Sequence, residues 1–404
     1  MSELDYSDVS LVAKYFDGDS RSKLDTSIEL CGHTFKLPAI PSNMKCCIDY
    51  EIAEKLSEAG YFYVLHRFMP YKELCQWILD SNEKDLKMIS ISLGVQDQDY
   101  KLVEWLVKND SPVDFITVDI AHGHCKKMRD FLSHCKTVLV DEPTKIIAGN
   151  VMTRQGVEDL SRWGADAVKV GIGPGAACST KLMTGFHSPM FSTIQKCKIS
   201  TQTAPREVIA KKTEQEAMDY VNNTTRPKMH HSSATFEPSF SSPWDELVYI
   251  KANTSNGNLH IQQEKFKEVL NNEIDKRFQD CQVDPVPIIA DGGIRHPGDI
   301  AKAIAAGADM VMVGSMFTAC VDSPAEDIMD DDTLTVKKKV YYGSASVSNG
   351  NNKNIEGTTV ELDCNGKTYM EYLDELQGHL QSAISYCGGD RIDDLKGCEY
   401  IQHA

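Results

Sequence analysis

The sequence predicts an α/β fold of the (β/α)8 barrel type, on three observations. Short β-rich apolar runs recur eight times, helical patterns separate most of them, and polar or glycine residues gather at the C-terminal end of nearly every run. That end is where such a barrel carries its chemistry. An open doubly wound sheet is the other reading of the same alternation.

In chain order the runs are PAIPSNM (38–44), YFYVLHRF (61–68), MISISLG (88–94), FITVDIAHG (115–123), TKIIAGNV (144–151), AVKVGIG (167–173), PIIADGG (287–293) and MVMVGSM (310–316). FITVDI and IIADGG are apolar on both faces, as parallel strands covered on both sides must be. Between runs, EIAEKLSEAG (51–60) and RQGVEDLSRWGAD (154–166) have helical spacing with a glycine near the end. The polar strand-end residues are Asn43, His66, Asp119, Asn150, Gly173, Asp291 and Gly314.

The spacing breaks between the sixth and seventh runs, where one helix would suffice. Residues 187–285 are therefore expected to be an insertion within a single barrel domain spanning 1–404. Its central stretch, 222–243, has 13 Ser, Thr, Asn or Pro residues among 22 and reads as a loop or disordered segment. Helical patterns flank it at 205–221 and 261–278, the second with Phe266, Leu270, Ile274 and Phe278 on one stripe. After the eighth run, the polar, Gly/Asn-rich segment 337–365 reads as an active-site flap.

Composition narrows the function. Hydrophobic content of 41% and charged content of 25% are those of a globular protein. A net charge of −17 argues against nucleic acid or an anionic membrane as partner, though not against an anionic small molecule. The N-terminus lacks a signal-peptide pattern, and no apolar run approaches the roughly 20 residues that span a bilayer. Thirteen cysteines without a repeating spacing read as reduced thiols, and the expected compartment is the cytoplasm.

Two motifs carry chemistry. In DGGIRHPGDIAKAIAAGADMVMVGSM (291–316), an acid and paired glycines at one strand end precede another glycine at the next. Adjacent glycines let backbone N–H groups converge on a phosphate, and Asp291 is placed to accept from ribose hydroxyls. Plain turn glycines are the alternative. In GIGPGAACSTK (171–181), Cys178 ends a permissive loop. It is either a small buried residue, as free cysteines commonly are, or a nucleophile whose thiolate the loop amides favour.

These stretches, with YYGSAS, NIEGTTVE, SRSKLDT (20–26), PSNM (41–44), VDIAHGHC (118–125) and SAISYCGG (382–389) in order, resemble the GMP reductase and IMP dehydrogenase family over roughly 1–186 and 286–400. The resemblance implies a TIM barrel that binds a purine nucleotide and a nicotinamide dinucleotide, with Cys178 attacking purine C2. Thr180 and Glu356 match the family's proton relay; Asp119 and Arg67 match positions near the nicotinamide. Many relatives carry Lys where Arg67 stands, and a guanidinium does not readily release a proton, so its implied role is electrostatic.

By the same carry-over, Asp291, Gly292, Gly293, Gly314, Ser315, Gly343, Ser344 and Ala345 are expected to hold the nucleotide. Ser20, Arg21, Asp119, Ile120, Ala121, Ile172, Gly173, Ser382, Ala383, Ile384 and Ser385 are expected to meet the dinucleotide, part of it across a subunit boundary of a homotetramer. The carbonyls of Gly173, Gly175 and Cys178 resemble a potassium site. Within the family the sequence sides with the reductase branch, which uses NADPH and GMP and releases ammonia. The dehydrogenase branch activates water with an Arg-Tyr pair on a long flap, whereas SASVSNGNNKNI (344–355) holds neither residue. An FMN-dependent oxidase, a silent nucleotide sensor and a structural role through the insertion are the competing classes.

Overall fold

The computed structural model of the chain describes residues 3–198, 206–223, 229–230, 239–240, 242–252, 265–274, 285–330, 333, 335–350 and 355–403. Seven parallel strands form one sheet: β1 (Ala39–Pro41), β2 (Ser90–Leu93), β3 (Phe115–Asp119), β4 (Lys145–Val151), β5 (Ala167–Val170), β6 (Ile288–Asp291) and β7 (Met310–Val313). Their order is β1-β7-β6-β5-β4-β3-β2, the curled sheet of a TIM-barrel-like α/β fold.

Most strand residues are buried, as a sheet covered on both faces requires. The second apolar run departs from expectation in one respect. Residues 61–66 carry no assigned strand, but all six are buried, and the Leu65 N–H donates to the Ser90 carbonyl of β2 at 3.2 Å. The run therefore lies against β2 as extended chain without a full ladder.

The outer helices start and stop where local chemistry dictates. Asp49 caps Tyr50–Ala59 by accepting from Ile52 N, and Thr153 caps Arg154–Trp163 by accepting from Gly156 N. Gly60 (φ 80°) and Gly164 (φ 118°) close these helices in the left-handed conformation that a side chain resists. At the N-terminal end of the barrel, the hairpin Ile28–Leu30/His33–Phe35 brings Phe35 against Phe62 and His33 against Phe115. This aromatic cluster closes that end, leaving the opposite end open.

After β7, the expected flap is more regular than a loop. Strands β8 (Asp327–Met329), β9 (Val336–Tyr342) and β10 (Thr359–Asp363) form an antiparallel sheet in the order β8-β9-β10. The tip of the flap, 343–358, joins β9 to β10. Buried Lys339 anchors β9: its ammonium donates to the carbonyls of Val321 and Ser323 and pairs with Asp327 at 2.5 Å.

The chain divides into two compact units, 1–199 with 286–404, and 200–285. The segment expected to begin at 187 thus begins later. Helix Met190–Cys197 buries Met190, Phe191, Ile194 and Cys197 in the barrel's main core, which fixes it to the first unit. The second unit has its own apolar cluster of Ala217, Val221, Leu247 and Val248, with Phe266 and Leu270 packed against it. Helix Arg206–Asn223 follows the expected pattern, while Phe278 lies outside the described residues. Within the stretch read as a loop, Met229–His230 pairs antiparallel with Ser239–Phe240.

Candidate active site

At the open end, strand ends and the flap tip enclose a cavity of about 520 Å³. That volume is within the usual range for a small-molecule site. Cys178, Thr180, Glu356, Asp119, Arg67, Asp291, Gly292, Gly293, Gly314, Ser315, Gly343, Ser344 and Ala345 all line it. So do Ile120, Ala121, Ile172, Gly173 and Gly175. Parallel strands bring their C-terminal ends together, and the flap tip adds Gly343, Ser344, Ala345 and Glu356.

Cys178 follows β5, half-buried, with its Sγ 3.1 Å from Thr180 Oγ1. Thr180 Oγ1 donates to Glu356 Oε2 at 2.7 Å. The flap tip is stitched to this loop by backbone bonds. Cys178 and Gly357 form an antiparallel bridge, Ser179 N donates to Glu356 O at 2.8 Å, and Thr358 N donates to Ala177 O at 2.9 Å. The approach demands a glycine at 343, where a Cβ would meet Ala177 O at 2.7 Å.

The cavity floor holds a charged network. Lys169 on β5 is 2% exposed, its Nζ lying 2.7 Å from Asp119 Oδ1, 3.0 Å from Asp291 Oδ2 and 3.4 Å from Asn43 Oδ1. Asn43 donates to Asp119 Oδ2 at 3.1 Å, and Asn150 donates to Asp291 Oδ2 at 2.9 Å. Burial opposes charge on Asp119, but the Lys169 ammonium and then Arg67 outweigh it and hold the carboxyl below its ordinary range. Burial likewise opposes charge on Lys169, and the two carboxylates overcome it, raising its pKa. Asp119 thus has both oxygens engaged, and it is an oriented anion rather than a free base.

The sequence reading assigned no role to Lys169. The signal was available: a lysine inside AVKV, a strand otherwise apolar on both faces, must be paired to stay there. Arg295, Ser42, Met44 and Tyr341 also line the cavity and were not singled out.

Six expected dinucleotide contacts lie elsewhere. Ser20, Arg21, Ser382, Ala383, Ile384 and Ser385 do not line the cavity. They form their own group, in which Arg21 Nη1 donates to Ser382 Oγ at 3.3 Å. Ile384 is 0% exposed in the core, while Ser382, Ala383 and Ser385 beside it are partly exposed. Of the three carbonyls expected to hold potassium, that of Gly175 accepts the Cys178 N–H at 3.0 Å. The loop is closed by its own hydrogen bond, and no step below is routed through an ion.

A half-buried thiol hydrogen-bonded to a hydroxyl–carboxylate pair, beside glycine-lined strand ends on a curled parallel sheet, has the make-up of a barrel enzyme's site. A sequence profile described as "IMP dehydrogenase / GMP reductase domain" matches residues 3–222 and 272–403, so the chain belongs to that family. It is 35% identical over 404 residues to the GMP reductase of Mesoplasma florum, covering 99% of this chain and 98% of that protein. Identity to the GMP reductase of Bacillus subtilis is 35% over 398 residues, covering 98% and 95%. For that of Streptococcus agalactiae it is 36% over 398 residues, covering 98% and 94%.

Proposed function

We propose that this chain is an NADPH-dependent GMP reductase, converting GMP to IMP with release of ammonia. The observation that carries the reading is the Cys178–Thr180–Glu356 chain facing the cavity. An aromatic C2 is a poor electrophile and ammonia a poor leaving group unless protonated. Covalent capture divides the substitution into two steps, and a relay beside the thiol supplies the proton.

Cys178 loses its proton to the relay as Sγ bonds to purine C2. The C2–N bond then breaks, the departing amine takes a proton from Thr180 and Glu356, and a thioimidate remains. NADPH, when bound, supplies the hydride to C2, after which the C–S bond breaks and Cys178 is released with IMP. Asp291 accepts from the ribose, and the N–H groups around Gly292, Gly293, Gly314 and Ser315 receive the phosphate, with Gly343, Ser344 and Ala345 against the base. Asp119, Ile120, Ala121, Ile172 and Gly173 border the nicotinamide. Arg67 is exposed and always charged, and acts on Asp119 as a field rather than as a proton donor.

A homotetramer in the cytoplasm belongs to the same reading. Arg21 and Ser382 meet each other outside the cavity, as residues serving a neighbouring copy's dinucleotide would. Mass measured by light scattering tests the assembly. The activity itself is tested by absorbance at 340 nm. Loss with GMP and NADPH, with ammonia released, is expected, whereas a rise with IMP and NAD would replace the reading by a dehydrogenase. Cys178→Ala should abolish turnover while GMP still binds, and measurable turnover in that variant would sink the covalent step.

A further inference from the structure

Lys169 belongs to none of the groups that the reaction requires, yet it lies buried beneath the cavity, between two carboxylates that line it. Its three donors have three acceptors from three different elements: Asp119 at the end of β3, Asp291 at the end of β6, and Asn43 beyond β1. Asp119 and Asp291 stand on opposite sides of one ammonium, about 20% exposed each, and both line the cavity. Neither carboxylate owes its place to its own strand alone. Each has one oxygen on Lys169, and an asparagine amide completes the hold: Asn43 on the second oxygen of Asp119, Asn150 on Oδ2 of Asp291.

We propose that Lys169 is a positioning residue that locks the side chains of Asp119 and Asp291 in their cavity-facing geometry, so that one buried ammonium sets both the nucleotide side and the dinucleotide side of the site. The assignment of sides rests on the reductase reading above; the electrostatic role does not. The charged and titratable groups that face this trio are Arg67 toward Asp119, and the buried hydroxyls of Tyr6 and Tyr341 toward Asp291. Both phenols are pushed above their ordinary range by burial first, so they stay neutral and cannot replace the ammonium.

Removing the ammonium inverts a measurable sign. With Lys169 present, Asp119 is easier to ionise in the folded protein than in the unfolded chain, so its contribution is complete above the carboxylate range and is lost on acidification. Without it, two carboxylates face each other partly desolvated, and protonating one of them favours the fold. The difference in Tm between Lys169→Met and wild type should therefore shrink as the pH falls from about 7.5 to about 5.5. Turnover of the variant should drop about 100-fold through misplaced carboxylates, with KM raised for both ligands. Lys169→Arg, which restores a cation, should restore the wild-type Tm trend and most of the turnover.

A Lys169→Met protein with the wild-type pH trend in Tm overturns the proposal, whatever reaction the enzyme catalyses. A normal sign inversion with no GMP reductase activity in wild type would instead sink only the reductase reading. Should Lys169→Met not fold, Lys169→Met/Asp119→Asn leaves one carboxylate and is expected to fold. Failure of that variant as well would show that the lysine holds the barrel independently of its carboxylates, and would overturn the proposal too.

Discussion

At the scale of single residues, the polar groups of the barrel interior divide into those that face ligands and those whose burial sets their charge. His66 is of the second kind. It is 6% exposed, and burial, followed by the nearby Lys45 charge, lowers its pKa to about 4. Its Nδ1 accepts from the Phe68 N–H at 3.2 Å, which a neutral ring can do and a doubly protonated one cannot. The unfolded chain binds a proton near the ordinary value of about 6.5, so stability is lost as the pH falls below that value toward the folded pKa. Between pH 7 and pH 5 this group should remove about 2 kcal/mol. His66→Asn keeps an acceptor for Phe68, and its urea-unfolding free energy should fall less over the same interval.

Residue identity was legible where a motif fixed it. Thr180 and Glu356 are 176 positions apart, yet the order of motifs brought Cys178, Thr180 and Glu356 together in the sequence reading, and the hydrogen bonds place them in one chain. Lys169 was not legible, because a charge in a buried strand announces only that it has a partner. Which partners it has depends on strands whose neighbours are fixed by the sheet order. The core burial of Ile384 was not legible either, because a motif carried over as a block does not separate the residue that packs its helix to the core from its partly exposed neighbours.

At the scale of elements, alternation and capping glycines foretold most of the barrel. They overstated the second run, because extended backbone can be buried and aligned without completing a ladder. The flap was legible as an excursion, but its strands were not, since VKKKVYY, with three lysines in a row, lacks the apolar–polar alternation of a half-buried strand. Lys339 shows what holds the base of the flap. Its buried ammonium ties β9 to the chain at 321–327, so the base of the flap is firm. Lys339→Met leaves two carbonyls and Asp327 without their partner, a loss of about 1–3 kcal/mol. Limited proteolysis should then cut the 343–358 tip faster, and turnover should fall while Cys178 becomes more accessible to alkylation.

At the scale of the whole molecule, two cores coexist in one chain. The main cluster takes none of its described residues from 200–285, which supply a separate cluster of their own. Replacing 200–285 by a short Gly/Ser linker should therefore leave the barrel's principal thermal transition within about 5 °C of its original value. Calorimetry checks this, and loss of that transition would show that the segment supports the barrel. The matched profile likewise breaks at 222 and resumes at 272, inside this segment.

The bridge between Cys178 and Gly357 makes the flap and the Cys178 loop one mechanical object. Glu356 reaches Thr180 only while that short ladder is paired, because the same backbone that pairs also carries the carboxylate. Lifting the tip would part Glu356 from Thr180 as it opens the cavity, so that admitting a ligand and assembling the hydroxyl–carboxylate pair would be timed by one movement.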